Sequence, residues 1–441
     1  EATITSSASA PYDLSLHDHN GNTTLRNTAN SYLISAPGHY RIPLVYGNAI
    51  ENGVTNDKSY ISHAAAGNSY VLYNFQDHAG HNIDNPWIEK TNSGANASVD
   101  GAEVVWADAA NLVSSLSIAH DGGDAFLDFE VKASDIQSGN AVVAVKKGGT
   151  IVWSWHLWFA PKYALDKIPV TNHQGKVYNF TKETLGWKPT QWSSTTYTSA
   201  RTVKVKVEQT GSKQITVINI TQNPFNVRKG ATTFYQFGRK DAFPGVASSA
   251  LAANSHFTEN AGDNMSIMNG ILNPDKFYTW GSNWQNRYSY YNLWSADNTV
   301  TGDFDQGNDN PVVKTVYDPC PAGFKIPANN AFTGFTTTGQ NSSTLSDFNV
   351  DGTNDEQTYQ DNFGHKFWTS SSKTATINFP ASGYRHFSSG SLNSIGNYGG
   401  YWSTVPSFPY SGCYFFSFPG RVYPLFNNAR SYGMAARPVS E

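Results

Sequence analysis

The chain has 441 residues and a formal net charge of -4, and it contains no basic block, so its charge gives no reason to expect nucleic acid or an anionic membrane surface as a partner. Only 15% of the residues are charged and 14% are aromatic, and no apolar run approaches the roughly 20 residues that a membrane-spanning helix needs. The two cysteines exclude a disulfide-dense scaffold and a cysteine metal site.

The first part of the chain is predicted to be a β-sandwich. Residues 31–46 contain two strand patterns around a Pro-Gly turn, which predicts a short hairpin. Residues 151–159 contain three tryptophans among apolar neighbours, and such large rings must be buried on at least one face. Other strands are predicted at residues 101–106, 125–131 and 140–145.

A hairpin is predicted next, in a small linker region. Val203, Val205 and Val207 alternate with charged residues, which is the clearest pattern of a half-buried strand in the chain. After a turn at residues 210–212 the pattern returns over residues 215–220. We therefore expect one face of this hairpin to be buried.

The remaining chain has scattered aromatic residues, long loops and three short core-strand patterns, at residues 312–317, 377–379 and 414–418. The predicted fold class is mostly β. It consists of an N-terminal β-sandwich region (residues 1–180), a short β linker hairpin region (181–223) and an α+β domain (224–441).

Five sequence motifs in the last domain occur in a fixed order. They are YQFGRKDAFP at 235–244, YDPCPAGFKIP at 317–327, PASGYR at 380–385, GYWS at 400–403 and RSYGMAARPV at 430–439. Together they resemble the major paralogous domain of surface lipoproteins and fimbrillin-associated adhesins of gut anaerobes. The first half resembles the companion domain of such proteins, through NSYLISAPG at 30–38 and WSWHLW at 153–158.

This resemblance implies a C-type-lectin-like fold for the C-terminal half, similar in shape to the formylglycine-generating enzymes. It also implies an exported protein at the cell surface, anchored in the outer membrane or fimbrial. Because the chain starts at Glu1, we expect an export signal or lipid anchor to have been removed. Family members with a disulfide place a cysteine where this chain has Ala435 and Ala436, so the resemblance does not support a bridge between Cys320 and Cys413.

Loop residues of the C-terminal half are the candidate ligand-binding residues, because aromatic rings with adaptable polar neighbours bind at little entropic cost. The alternative is that these rings fill a loop-rich core. The candidates are Trp280, Trp284, Arg287, Tyr288, Tyr290, Arg385, His386 and Tyr398.

A calcium loop is suggested by the D-x-N-x-D-G pattern of Asp347, Asn349 and Asp351, with Asp355 acting through water. The twelfth position is Thr358 instead of a bidentate Glu. The alternative is a solvated acidic loop. Calcium is the one cofactor that the sequence suggests.

Two histidine groups have spacings that suit a transition metal, but neither has a third ligand at a recognisable spacing. They are His17 with His19, and Asp77 with His78 and His81. The alternative for both groups is an ordinary structural role.

The preferred hypothesis is a secreted cell-surface adhesin or pilus-tip-like protein that binds a host or microbial glycan or a surface protein. One alternative is a structural pilus or accessory subunit that contacts other pilus subunits by strand exchange. The other is an enzyme on a formylglycine-generating-like scaffold. No catalytic residues are assigned, because the sequence contains no nucleophile elbow, zinc-protease motif, phosphate loop or dinucleotide fingerprint.

Overall fold

The computed structural model describes residues 4–62, 71–192, 201–222, 228–263, 267–280, 290–298, 307–407 and 411–441. The described part is mostly β, which confirms the predicted class. The strands of the first half are β1 (Tyr12–Asp13), β2 (Ser31–Ile34), β3 (Gly38–Pro43), β4 (Ile50–Glu51), β5 (Val54–Thr55), β6 (Gly101–Ala107), β7 (Ser114–Asp121), β8 (Asp124–Val131), β9 (Gly139–Lys147), β10 (Thr150–Phe159), β11 (Lys167–Thr171), β12 (Val177–Thr181), β13 (Lys188–Trp192), β14 (Arg201–Glu208) and β15 (Ile215–Gln222).

The second half has shorter elements among loops. Its strands are β16 (Arg228–Ala231), β17 (Phe324–Lys325), β18 (Gly364–Trp368), β19 (Thr376–Pro380), β20 (Tyr384–Arg385), β21 (Leu392–Asn393), β22 (Gly399–Ser407), β23 (Ser411–Phe418), β24 (Arg421–Ala429) and β25 (Val439–Ser440), and its α-helices are α1 (Ile267–Leu272) and α2 (Glu356–Asp361). Residues 312–317 form no strand, although the sequence predicted one. Residues 314–317 are buried, and their contacts are isolated ones, because Lys314 forms a single β-bridge with Ser295 and Thr315 Oγ1 donates to the carbonyl of Leu293.

Two four-stranded sheets form the N-terminal part, with strand orders β1-β3-β8-β7 and β2-β10-β9-β6. Their apolar residues contribute to one hydrophobic cluster. Trp153, Trp155 and Trp158 of β10 are no more than 1% exposed, as the density of large rings predicted.

The predicted hairpin at residues 31–46 is wrong. Strand β2 pairs in parallel with β10, whereas β3 pairs with β8 in the other sheet. The Pro-Gly turn therefore carries the chain from one sheet to the other, and local turn chemistry cannot distinguish the two outcomes.

The last strand of the chain pairs with strands from earlier parts of the sequence. Strand β25 lies between β12 and β17 in a four-stranded sheet. Beside it, Arg437 is fully buried and donates to the carbonyls of Thr181, Lys182 and Asn378. The proposed boundaries at 180 and 223 stay predictions.

The hairpin of the linker region is confirmed, but the predicted burial of its valine face is wrong. Strands β14 and β15 pair with each other in a sheet of two strands. Val203 is 63% exposed and Val207 is 47% exposed, because no other part of the described chain covers this face.

Candidate functional site

Six rings lie side by side on the C-terminal half, and each belongs to a residue that is partly accessible to solvent. We call them the aromatic surface, and they are Trp280, Tyr384, His386, Phe387, Tyr398 and Tyr432.

Tyr384 lies near the middle of the aromatic surface. Its ring centroid is 4.8 Å from that of Tyr398 and 5.4 Å from that of Tyr432. Tyr432 lies 4.9 Å from Phe387, which lies 5.6 Å from Trp280. Because each ring packs against the next, the surface is already formed in the free protein.

Strand alternation places Tyr384 on the surface and Arg385 beneath it, since successive side chains of a strand point to opposite faces. Arg385 is fully buried. Its Nε donates to the carbonyl of Pro244 at 2.9 Å and its Nη1 to that of Gly390 at 2.7 Å. Burial lowers the pKa of Arg385 to about 10, and the nearby carboxylate of Glu259 partly opposes this. Arg385 thus holds the loop that carries His386 and Phe387.

The phenols of Tyr398 and Tyr432 are neutral hydrogen-bonding groups. Burial raises the pKa of Tyr432 to about 12. Burial also raises the pKa of Tyr398, as does the adjacent Tyr414, whose hydroxyl shares a hydrogen bond with that of Tyr398. The ring of Tyr398 stacks on Phe416 at 4.5 Å. The surface therefore offers flat apolar faces together with polar hydroxyl edges.

The structure brings three of the predicted ligand-binding residues together, namely Trp280, His386 and Tyr398. Trp284, Arg287 and Tyr288 lie outside the described residues. The backbone carbonyl of Tyr290 accepts a hydrogen bond of 2.6 Å from Arg430 Nη1.

Sequence reasoning missed Tyr384, Phe387 and Tyr432. Tyr384 and Tyr432 lie within two of the five motifs, PASGYR at 380–385 and RSYGMAARPV at 430–439. The available signal is the Tyr-Arg order in PASGYR, because successive side chains of a strand point to opposite faces and the burial of Arg385 leaves Tyr384 on the other face.

The side chains of the candidate calcium loop have separate protein partners. Asp351 pairs with Lys366 at 2.8 Å, and Asp355 accepts from the backbone N–H of Thr358 at 2.7 Å as the N-cap of α2. Asp347 accepts from Ser342 Oγ, and Asn349 donates to the carbonyl of Gly334. Within the described ranges, no three His, Cys, Asp or Glu side chains group closely enough to hold a metal ion.

A cleft of about 750 Å³ opens beside β2, and residues of both halves of the chain line it. Tyr12, whose ring stacks on His17 at 3.8 Å, is part of its lining, as is His19. Asp18 accepts from the backbone and the side chain of Asn22, so this carboxylate stabilises its own turn. Burial raises the pKa of Tyr12 to about 12.

The second histidine group is part of the protein interior. Asp77 is buried and accepts from the backbone N–H of His81 at 2.8 Å. His78 is also buried and contacts Ser154 Oγ at 3.1 Å, and burial lowers its pKa to about 3. These partners assign a structural role to both residues.

Cys320 and Cys413 are both buried, and they are not bridged to each other. Burial raises the pKa of Cys320, so it stays a neutral thiol and packs as a small apolar side chain. The backbone N–H of Cys320 donates to Asp318 Oδ1 at 2.7 Å, which fixes the turn of this motif.

None of the helices in the described part of the chain is both long and apolar enough to cross a membrane. Comparison of the chain with family models, curated proteins and solved structures gives no match.

Proposed function

We propose that this chain is an exported cell-surface binding protein, an adhesin or pilus-tip-like subunit that presents the aromatic surface to a glycan or a surface protein. The observation that carries the proposal is the row of mutually packed rings from Trp280 to Tyr398, which keeps its faces partly open to solvent.

The chemistry of the aromatic surface suits such a ligand. Ring faces stack on the apolar faces of sugar rings or on protein side chains, while hydroxyl edges form hydrogen bonds. Because Tyr384 and Phe387 are already fixed by their neighbours, little side-chain entropy is lost on binding.

The test is a glycan-array and mucin-binding screen of the whole chain, followed by Trp280→Ala. We expect selective binding that weakens at least tenfold in this variant, and circular dichroism checks that the variant, which loses a ring that is 36% exposed, remains folded. The matched control is Tyr163→Ala, which removes another exposed ring, 42% exposed, from the N-terminal half. Equal binding by both variants would place the ligand elsewhere.

One observation favours a second candidate function, assembly by strand exchange. The first described residues lie on a sheet edge, where Ile4 N donates to the carbonyl of Pro37 and β1 pairs in parallel with β3. A segment held by so short a strand is replaceable by the same segment of another subunit.

This second candidate predicts that a chain shortened to begin at Leu14 binds a synthetic peptide of residues 4–13. The intact chain should not bind that peptide, because its own segment occupies the edge. Failure of the shortened and folded chain to bind would count against strand exchange, whatever the glycan screen shows.

A further inference from the structure

Strands β14 and β15 form an arm that stands apart from the rest of the described protein. All residues from 202 to 221 are exposed, and we call this segment the arm. Its two strands are hydrogen-bonded to each other along their whole length, from Arg201 opposite Gln222 to Glu208 opposite Ile215. A single two-stranded hairpin has marginal stability in water.

One face of the arm is apolar and uncovered. Val203 lies opposite Ile220 and Val205 opposite Ile218, and residues directly opposite one another share a face. Val205 is 38% exposed and the other three side chains are 50% to 63% exposed. A contiguous exposed patch of this kind marks an interaction surface.

The two strands differ in their charge. Strand β14 contains Lys204, Lys206 and Glu208, whereas β15 contains no charged residue, no proline and no glycine. Lysine on a strand is one of the devices that protect a sheet edge from pairing with other chains. Strand β14 therefore has a protected outer edge, and β15 has an unprotected one.

Strand β15 is also apolar on both faces. Ile218 and Ile220 lie on the face of the valines, while Ile215 and Val217 lie opposite Glu208 and Lys206 on the other face. Strands that are apolar on both faces occupy the interior of a sheet, with a neighbour on each side. In the arm, β15 has β14 on one side, and no further strand of the described chain lies on the other.

We propose that β15 of one copy pairs antiparallel with β15 of a second copy across a two-fold axis, so that two arms form one four-stranded sheet. The two uncharged strands then lie in the centre, and Lys204 and Lys206 lie on the two outer strands, where they protect the edges of the dimer. Pairing through β14 would instead move Lys204 and Lys206 of both copies to the centre of the sheet, where they no longer protect its edges.

Residue types in the arm favour a protein partner over a lipid surface. Residues 201–222 contain no aromatic residue, whereas Trp and Tyr are the usual residues at a membrane interface. The apolar side chains are β-branched Val and Ile, which pack well against the neighbouring strands of a sheet. Any antiparallel self-pairing centred in β15 places such side chains against each other.

The test is the molar mass of the intact chain in solution, measured by sedimentation equilibrium from low micromolar to several hundred micromolar protein. We expect a reversible dimer, with a dissociation constant weakened at least tenfold by either Ile218→Lys or Val217→Lys. These substitutions put a charge into β15 on opposite faces, and both residues are at least 50% exposed, so neither change affects the core.

The matched control is Val205→Lys, directly opposite Ile218 but on β14. Edge pairing through β15 predicts a dimer in this variant, whereas stacking of two apolar faces predicts its loss. A monomer at all concentrations, a dimer unaffected by the β15 variants, or a dimer lost in Val205→Lys would each overturn the proposal. Binding of the arm to lipid vesicles without self-association would overturn it as well.

Discussion

The ammonium group of Lys240 donates to the backbone carbonyl of Ser154 at 2.9 Å and to its hydroxyl at 2.7 Å. The same ammonium donates to Asp241 Oδ1 at 3.0 Å, and all three residues are buried. Because Ser154 belongs to β10 and Lys240 to the motif at 235–244, this contact joins the N-terminal sandwich to the C-terminal half.

Lys240→Met should therefore lower the free energy of unfolding by about 3 kcal/mol, the lower end of the cost of breaking a buried ion pair. Asp241 retains Arg239 as a partner at 3.2 Å, which limits the loss. The control is Lys90→Met, which removes an exposed pair with Asp124 and should cost less than about 1 kcal/mol. Urea unfolding measures both, and equal costs would contradict a structural role for the Lys240 contact.

The free energy of unfolding should begin to fall at a pH well above the pH range in which carboxylates titrate. Burial lowers the pKa of His78 and His156 to about 3 and that of His365 to about 4, whereas an unfolded histidine titrates near 6.5. A lowered histidine pKa means that the unfolded state binds more protons, so stability is fully present above pH 6.5 and is lost as the pH falls towards these values.

At about pH 5, roughly 1.5 units below the pKa of an unfolded histidine, each of these three histidines lowers the free energy of unfolding by about 2 kcal/mol. His365→Phe should reduce the slope of unfolding free energy against pH between about pH 4 and 6.5, because it removes one proton uptake site. The surroundings of His365, which include Tyr359 and Phe367, suit a phenylalanine. An unchanged slope would mean that His365 is protonated in the folded protein.

Sequence patterns predicted the positions of the strands better than they predicted which strands pair with each other. The apolar runs of β8, β9 and β10 are local signals, and each strand was found with an error of at most two residues at each end. The partner of β2 could not be predicted, because its pairing with β10 depends on packing between residues far apart in the chain. The alternation of Val203 with Lys204 likewise predicted a strand, but alternation contains no information about what covers the apolar face.

Only part of the candidate site was predicted, because local sequence signals do not contain the contacts between residues far apart in the chain. Loop position indicated Trp280, His386 and Tyr398, because polar neighbours made an exposed ring plausible. Tyr384 and Tyr432 stand beside buried residues, so their exposure depends on which way the chain turns after Arg385 and Arg430. That direction follows from the carbonyl partners of the two arginines, which are distant in sequence.

Arg385→Met should disorder the loop that forms part of the aromatic surface. The variant loses the hydrogen bonds to Pro244 and Gly390, and we expect faster hydrogen exchange in residues 386–391 with a stability loss of about 2 kcal/mol. The control is Arg421→Met at an exposed position of β24, which should change neither quantity. Slow exchange in the Arg385 variant would mean that ring packing alone holds the loop.

Asp355→Ala separates the two interpretations of the acidic loop at residues 347–355. As the N-cap of α2, Asp355 accepts from the backbone N–H of Thr358, and removing such a cap costs about 1 kcal/mol. Because this contact needs no ion, we expect the same loss of stability in calcium and in chelator. The control is Asp361→Ala at the last residue of the helix, where a negative charge opposes the helix dipole and its removal is neutral or slightly stabilising. A loss confined to calcium-containing buffer would instead support Asp347, Asn349, Asp351 and Asp355 as calcium ligands.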